Sequence, residues 1–217
     1  MRFLPCLACL ALALRVVAAE PLVWRLDQTA QLGGHPLAVL GAPGVATEGP
    51  DTGMFFNGSS DGIFLSANPL AGASTFTIEV LFKPAEGGPE AQRFFHLEDT
   101  QAWRVMIETR LNGHGQWWLD TFLGKPGVSQ PLIDPQRVHP TDRWYWVALR
   151  FDGKRMTHFI NGVQELEREA VFATMTDGRL SLGVRQNKVY WFKGGIREVR
   201  WHREAIAAEK LQKPANP

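Results

Sequence analysis

The chain has 217 residues and a formal net charge of +1, with 23 Lys and Arg against 22 Asp and Glu. This balance gives no excess of positive charge to attract a nucleic-acid backbone, so we expect no nucleic-acid partner. Both cysteines, Cys6 and Cys9, lie near the N-terminus. The remaining chain must therefore be stable without disulfides, and it is long enough to bury one sizeable hydrophobic core.

The N-terminal segment has the pattern of a secretory signal peptide. Arg2 precedes an almost wholly apolar stretch over residues 3–13, and the small residues Ala18 and Ala19 follow. We expect cleavage after Ala19, export to the periplasm or the extracellular space, and one domain over residues 20–217. An uncleaved anchor is the alternative, and a lipoprotein signal at Cys9 fits less well. No second apolar stretch is long enough for a membrane helix, so we expect no membrane span after cleavage.

Short strands are predicted along most of the chain, because apolar and polar residues alternate between turn-forming Gly, Pro, Asn and Asp. A first strand is predicted near residues 22–26, with loops from there to residue 50. The later strands are predicted over residues 75–83, 93–98, 103–110, 116–123, 144–151, 156–160, 163–166, 180–184 and 195–201. Only residues 204–211 have a helical pattern. The sequence thus predicts an all-β, two-sheet antiparallel β-sandwich of jelly-roll type with a short C-terminal helix.

Four segments, in this order, resemble laminin-G-like domains of the concanavalin-A-like lectin/glucanase type. They are residues 55–63 (FFNGSSDGI), 76–83 (FTIEVLFK), 144–153 (WYWVALRFDG, followed by the Asn161-Gly162 turn) and 192–200 (FKGGIREVR). The resemblance implies a lectin-type sandwich, a fold that serves lectins, adhesion modules, glycosidases and lyases alike. It also leaves bound calcium (Ca2+) possible. However, related domains often have an acidic residue where Arg197 stands, and a guanidinium would serve a cation poorly.

Alternation along the strands predicts which side chains share a face. Over residues 103–110, Val105 and Ile107 should face the core, and Arg104 and Glu108 should face outward. Over residues 117–122 the rule is ambiguous, and Trp118 and Asp120 face outward if Trp117 and Leu119 face the core. Applied in this way to the other strands, the rule places the candidate ligand-binding residues on the outer face of one sheet. They are His96, Arg104, Glu108, Trp118, Asp120, Trp146 and Arg150, with Glu98 beside them.

Such a face suits a sugar, because indole rings stack on a pyranose while carboxylates and guanidinium groups bond its hydroxyls. We expect Trp118 and Trp146 to stack, and Arg104, Glu108, Asp120 and Arg150 to bond hydroxyl or acidic groups. For each residue the alternative is an ordinary solvated face of salt-bridged cross-strand pairs.

The predicted function is a secreted, non-catalytic module that binds a glycan or an extracellular protein through this face and its rim loops. No catalytic residue is assigned, because the compact Glu-x-Asp-x-x-Glu run of the related glucanases is missing from this sequence. The alternative is a polysaccharide-cleaving hydrolase or lyase that uses His96, Arg104 and neighbouring carboxylates. A third class is a structural adhesion module that binds through its loops.

Overall fold

The computed structural model describes residues 20–49 and 51–214. In this part of the chain, two large antiparallel sheets form a sandwich, and a two-stranded hairpin stands apart from them. The predicted β-sandwich is therefore confirmed. The predicted signal peptide, residues 1–19, lies outside the described residues. None of the helical structure in the described ranges is long and apolar enough to cross a membrane.

Eighteen strands and one 3-10 turn make up the regular structure of the described residues. The strands are β1 (Leu22–Arg25), β2 (Gln31–Leu32), β3 (His35–Pro36), β4 (Ala38–Leu40), β5 (Gly44–Glu48), β6 (Asp51–Asn57), β7 (Gly62–Leu65), β8 (Phe76–Pro84), β9 (Ala91–Glu98), β10 (Arg104–Leu111), β11 (Gln116–Lys125), β12 (Val128–Ile133), β13 (His139–Pro140), β14 (Tyr145–Phe151), β15 (Arg155–Ile160), β16 (Val163–Glu169), β17 (Arg179–Leu182) and β18 (Lys193–His202). The front sheet has the order β12-β11-β10-β9-β17-β7-β4, with β13 paired to β11. The back sheet has the order β16-β15-β14-β8-β18-β6-β5, with β1 paired to β18.

Several elements differ from the sequence prediction, which has no strand at β6, β7, β12 or β13. The segment predicted as loops up to residue 50 contains β4 and β5, which are edge strands with mostly exposed side chains and hence a weak apolar alternation. The helix predicted over residues 204–211 is only the 3-10 turn Ala208–Lys210. The tail lies across the back sheet instead, because the Ile206 amide donates to Thr77 Oγ1 (3.1 Å) and the Gln212 amide donates to Glu79 Oε2 (2.6 Å).

Aromatic side chains join the two sheets across the core. Phe82 of β8 stacks on Phe94 of β9 with ring centroids 4.3 Å apart, and Trp117 of β11 meets the Phe82 ring edge-on at 5.0 Å. All three side chains are fully buried. Offset and edge-to-face contacts of this kind add to the stabilisation from burial alone, and they fix the spacing and orientation of the sheets.

A β-bulge in β9 determines what the front sheet shows to solvent. Ile107 of β10 lies opposite Phe95, whereas the next residue, Glu108, lies opposite Arg93, so Phe94 is the extra residue. Both phenylalanines are fully buried in the core. Because two consecutive residues point inward, the residues before and after them, Arg93 and His96, both reach the outer face.

The aromatic contact across the sheets leads to a stability prediction. Phe82→Ala should lower the free energy of unfolding by about 3–5 kcal/mol, because a large ring is lost from a packed core. Urea unfolding followed by tryptophan fluorescence measures the change. The matched control is Val163→Ala on β16, whose side chain is largely exposed, and it should change stability by less than about 0.5 kcal/mol. Equal effects of the two substitutions would contradict this account of the core.

Candidate functional site

A groove crosses the outer face of the front sheet. It consists of two adjoining cavities of about 380 Å³ and 280 Å³, which share Arg104, Pro126 and Arg185. We call their union the front groove. Its side chains come from β9, β10, β11, β12 and β17 and from the loops around residues 125–127 and 185–190. The lining residues that bear on its chemistry are Arg93, His96, Glu98, Arg104, Glu108, Arg110, Asp120, Phe122, Lys125, Arg179, Arg185, Gln186 and Tyr190.

Five of the seven predicted ligand-binding residues lie on this outer face. In β10, Val105 and Ile107 are in the core, while Arg104 and Glu108 point outward as predicted. The other three are His96, Trp118 and Asp120. Four of the five line the front groove. The fifth, Trp118, lies on the same face outside the groove; it is half-buried and stands opposite Arg110 in the strand register.

Trp146 and Arg150 are not on this face, so the prediction of a single face for all seven residues is wrong. Both belong to β14 in the back sheet, on the opposite side of the sandwich. Alternation correctly turned them away from the core, but it cannot show which sheet a strand joins. The C-terminal tail lies on this side as well: Arg150 Nη1 donates to the Ile206 carbonyl at 3.3 Å, and Trp146 is only 8% exposed.

Two arginines and two carboxyl groups form a buried network on the floor of the front groove. Arg93 Nε lies 2.9 Å from Glu108 Oε2. Arg110 Nη2 lies 3.3 Å from the same oxygen and 2.6 Å from Asp120 Oδ2. Glu108 is 2% exposed and Asp120 is 4% exposed. Because each carboxyl group faces a guanidinium, the network is rigid and its geometry is set before any ligand arrives.

Glu108 has a strongly perturbed acidity within this network. Burial, followed by the nearby charge of Asp120, raises the pKa of the Glu108 carboxyl from 4.5 to about 7, although Arg93 and Arg110 act in the opposite direction. Two carboxyl groups close to the same guanidinium nitrogen repel each other, so one of them tends to keep its proton. The pair therefore carries less negative charge near neutral pH than two free carboxylates would.

Tyr190 forms an aromatic rim to the groove. Its backbone has φ of 61°, a left-handed conformation that costs a bulky residue energy. The Arg93 amide donates to the Tyr190 carbonyl (2.9 Å), and the Arg93 guanidinium carbon lies 3.7 Å from the centroid of the ring. The residue nevertheless stays 43% exposed. Arg93 thus holds the ring in place and leaves much of it open to solvent.

His96 positions the loop that carries this tyrosine. It is only 1% exposed, its Nδ1 accepts from the Gln186 amide at 3.1 Å, and its Nε2 lies 3.1 Å from Glu98 Oε2. Burial lowers the pKa of the imidazole, so the ring is neutral at physiological pH, with the proton on Nε2 facing the carboxylate. Nδ1 is bonded to the loop while Nε2 faces Glu98, so His96 is a positioning residue for the 185–190 loop.

The back sheet carries a larger cavity of about 650 Å³, but its aromatic rings already have partners. The Arg197 guanidinium lies 4.0 Å from the centroid of the Trp144 ring, and the indole Nε1 donates to Glu48 Oε2 at 3.3 Å. The Trp146 ring is buried, with Arg200 at 5.2 Å. Tyr190 of the front groove also has a cationic partner, but it is 43% exposed, whereas Trp144 is half-buried and Trp146 is buried. The front groove is therefore the better candidate site among the described residues.

Several of the lining residues named above, among them Arg110, Lys125 and Arg179, were not predicted as ligand-binding residues, and four others show why. Phe122 could have been found, since it continues the outward alternation of Trp118 and Asp120. The consecutive Phe94-Phe95 pair was the signal for the bulge that turns Arg93 outward. Arg185 and Tyr190 lie in an irregular loop, where no periodicity exists to assign a face. Only the packing of this loop over β9 brings the two residues to the groove.

A family model described as Laminin_G_3, of the concanavalin A-like lectin/glucanase superfamily, matches residues 57–212. The chain belongs to this superfamily. The resemblance predicted from the four sequence segments is thereby confirmed. No curated protein sequence gives a significant match to the chain.

Several solved structures of other proteins share the fold of this chain. Domain 4 of AbnA, an extracellular arabinanase of Geobacillus stearothermophilus solved with arabinotriose, is 19% identical, covers 88% of this chain and 97% of its own, and has a TM-score of 0.66. A botulinum neurotoxin type C structure, from a toxin whose cell entry depends on two ganglioside molecules, is 10% identical. The match covers 88% of this chain and 49% of the toxin chain, with a TM-score of 0.61. The CBM40 domain of a Ruminococcus gnavus sialidase, bound to sialyllactose, is 16% identical, and the match covers 73% of this chain and 94% of that domain, with a TM-score of 0.50. At these identities the similarity concerns the fold.

The residues of this superfamily member do not fit a calcium ion at the position considered in the sequence. Arg197 is buried, donates a hydrogen bond from Nη2 to the Glu48 carbonyl, and packs on Trp144. A guanidinium offers donors where calcium needs oxygen ligands. Across the described ranges, no group of three or more His, Cys, Asp or Glu side chains could hold a metal ion.

The raised pKa of Glu108 predicts a pH-dependent stability. The folded protein keeps a proton on Glu108 that the unfolded chain releases near pH 4.5, so the free energy of unfolding falls as the pH rises from there through about 7. Glu108→Gln mimics the protonated group and removes this loss. As the pH rises from about 5 to 8, the free energy of unfolding of the variant should therefore increase by on the order of 2–3 kcal/mol relative to that of the wild type.

Denaturant unfolding across this pH range measures the effect. The matched control is Glu167→Gln, at an exposed carboxylate of β16 paired with Arg155. Its free energy of unfolding should change with pH as that of the wild type does. A Glu108→Gln curve that also runs parallel to the wild type would show that Glu108 does not carry the proton.

Proposed function

We propose that the chain is an exported, non-catalytic module that binds a glycan in the front groove. The observation that carries the proposal is the exposed Tyr190 ring, held by Arg93 on a strained backbone at the rim of a groove floored by paired charges. Backbone strain persists where the surrounding structure maintains it, and it is concentrated at functional sites. An open aromatic face beside fixed polar groups is what a sugar ring requires.

The groove offers complementary contacts for a sugar. The apolar face of a pyranose would stack on Tyr190, since Arg93 lies against the ring and much of the residue remains exposed. Arg104 lines both cavities of the groove, and its guanidinium carbon lies 5.4 Å from the centroid of the Phe122 ring. Its Nε is buried without a hydrogen-bond acceptor in the part of the chain that the structure describes. A hydroxyl or acidic oxygen of a ligand would satisfy that donor.

The similar structures support a glycan as the ligand class. The AbnA domain was solved with arabinotriose and the CBM40 domain with sialyllactose, and both share the sandwich fold of this chain. Fold alone does not assign a ligand. The support comes from the combination of this fold with the aromatic rim and hydrogen-bonding floor of the front groove. Export is proposed from the signal-peptide pattern of residues 1–19.

A polysaccharide-cleaving enzyme is the second candidate, and the Glu108–Asp120 pair favours it. A carboxyl group with a pKa near 7 beside a second carboxyl group is the arrangement of a general acid and its partner. Against this, both groups are almost fully buried and both contact Arg110. The proposal therefore expects no release of reducing ends or unsaturated sugars from any polysaccharide, and activity lost in Glu108→Gln would establish the enzyme instead.

Tyr190→Ala should weaken glycan binding about tenfold or more, because the stacking surface is lost while the Cβ and backbone conformation are retained. Tyr190→Phe keeps the ring and should bind as the wild type does. A glycan array identifies the ligand, and calorimetric titration of the best binder measures the affinity of each variant.

Trp144→Ala serves as the control for the back-sheet cavity and should leave the affinity unchanged. Binding that is lost in Trp144→Ala and kept in Tyr190→Ala would move the site to the back sheet. A wild-type protein that retains no glycan on the array would refute the proposed function.

A further inference from the structure

The charges lining the front groove are unbalanced, although the chain as a whole is nearly neutral. Six Arg or Lys side chains line it, against three carboxyl groups. Two of those carboxyl groups, Glu108 and Asp120, contact Arg93 and Arg110 on the floor of the groove. The positive potential of the groove is therefore a local property that the overall charge conceals.

The third carboxylate offsets only part of the excess positive charge. The hydrogen bond to His96 lowers the pKa of Glu98, so the glutamate stays ionised beside a neutral imidazole. The charges of Arg104 and Arg179, which lie opposite Glu98 in the strand register, act on it in the same direction. Among the described residues, four groove cations make no ion pair with a carboxylate. They are Arg104, Lys125, Arg179 and Arg185.

Arg104 and Arg185 occupy the junction of the groove, because both line each of its two cavities. They come from different parts of the fold, β10 and the 185–190 loop, and His96 fixes that loop through the Gln186 amide. Arg104 Nε is buried without an acceptor in the described ranges. Two guanidinium groups without a carboxylate partner among the described residues therefore line one junction, and guanidinium groups bind anions bidentately.

We propose that the junction of Arg104 and Arg185 is an anion subsite, and that the ligand of the groove is an acidic glycan carrying a carboxylate or a sulfate. The inference rests on the proposed function and specifies its ligand class. The sugar ring stacks on Tyr190 while its acidic group lies between the two guanidinium groups. An acidic protein segment is the competing ligand, but the open tyrosine ring at the rim of the junction favours a sugar.

The test uses an array of matched neutral, carboxylated and sulfated glycans, followed by calorimetry with the best binder. We expect acidic glycans to be retained in preference to their neutral counterparts, and the two acidic arms distinguish carboxylate from sulfate. Arg104→Gln and Arg185→Gln should each weaken the best acidic binder about tenfold. Arg155→Gln on β15 of the back sheet is the matched control and should bind as the wild type does. Raising the salt concentration from about 0.01 M to 1 M should weaken the binding of acidic glycans, because the Debye length falls from about 30 Å to about 3 Å.

The possible results separate this inference from the proposed function. If neutral and acidic glycans bind equally and Tyr190→Ala weakens both, the anion subsite is refuted and the glycan-binding function stands. If no glycan binds, both fail. If poly-glutamate competes as well as the best acidic glycan does, the ligand is an acidic polypeptide and the inference is overturned. Near-ultraviolet circular dichroism of each variant establishes that the fold is intact.

Discussion

The β-bulge at Phe94 links the core of this protein to its outer surface. By placing two consecutive phenylalanines in the interior, it supplies the ring that stacks on Phe82 of the opposite sheet. The same extra residue turns Arg93 and His96 outward together. Arg93 then supports both Glu108 and the Tyr190 ring, and His96 supports the loop that carries Tyr190. The packing of the sandwich and the shape of the groove therefore depend on one local irregularity.

Burial gives the groove its chemical character. The two floor carboxyl groups are out of water, so each is held by a guanidinium, and one of them keeps its proton to near neutral pH. These pairs offset positive charge on the floor, whereas Arg104 and Arg185 at the junction form no ion pair with a carboxylate among the described residues. The floor is therefore rigid and nearly neutral, while the junction and the aromatic rim are available to a ligand.

The sequence predicts the fold well and the site only in part, and the reasons are physical. Alternation along β10 and β11 correctly separated Val105 from Arg104 and placed Asp120 outward, because period-two patterning is a local property of a strand. It could not show that β14 belongs to the other sheet, since strand order depends on long-range pairing. Trp146 was therefore assigned to the wrong surface. The tail over residues 204–211 has a helical pattern, but hydrogen bonds to Thr77 and Glu79 hold it against the back sheet, and only the turn Ala208–Lys210 forms.

The central claim is that the ligand lies on the front sheet, and NMR chemical-shift mapping tests it most directly. The best glycan binder from the array is titrated into labelled protein while backbone amide and indole signals are followed. The account predicts that the shifts cluster at Arg104, Phe122 and Tyr190 and leave the indole signals of Trp144 and Trp146 unchanged. Shifts centred on those two tryptophans, with the front-sheet signals unmoved, would contradict it.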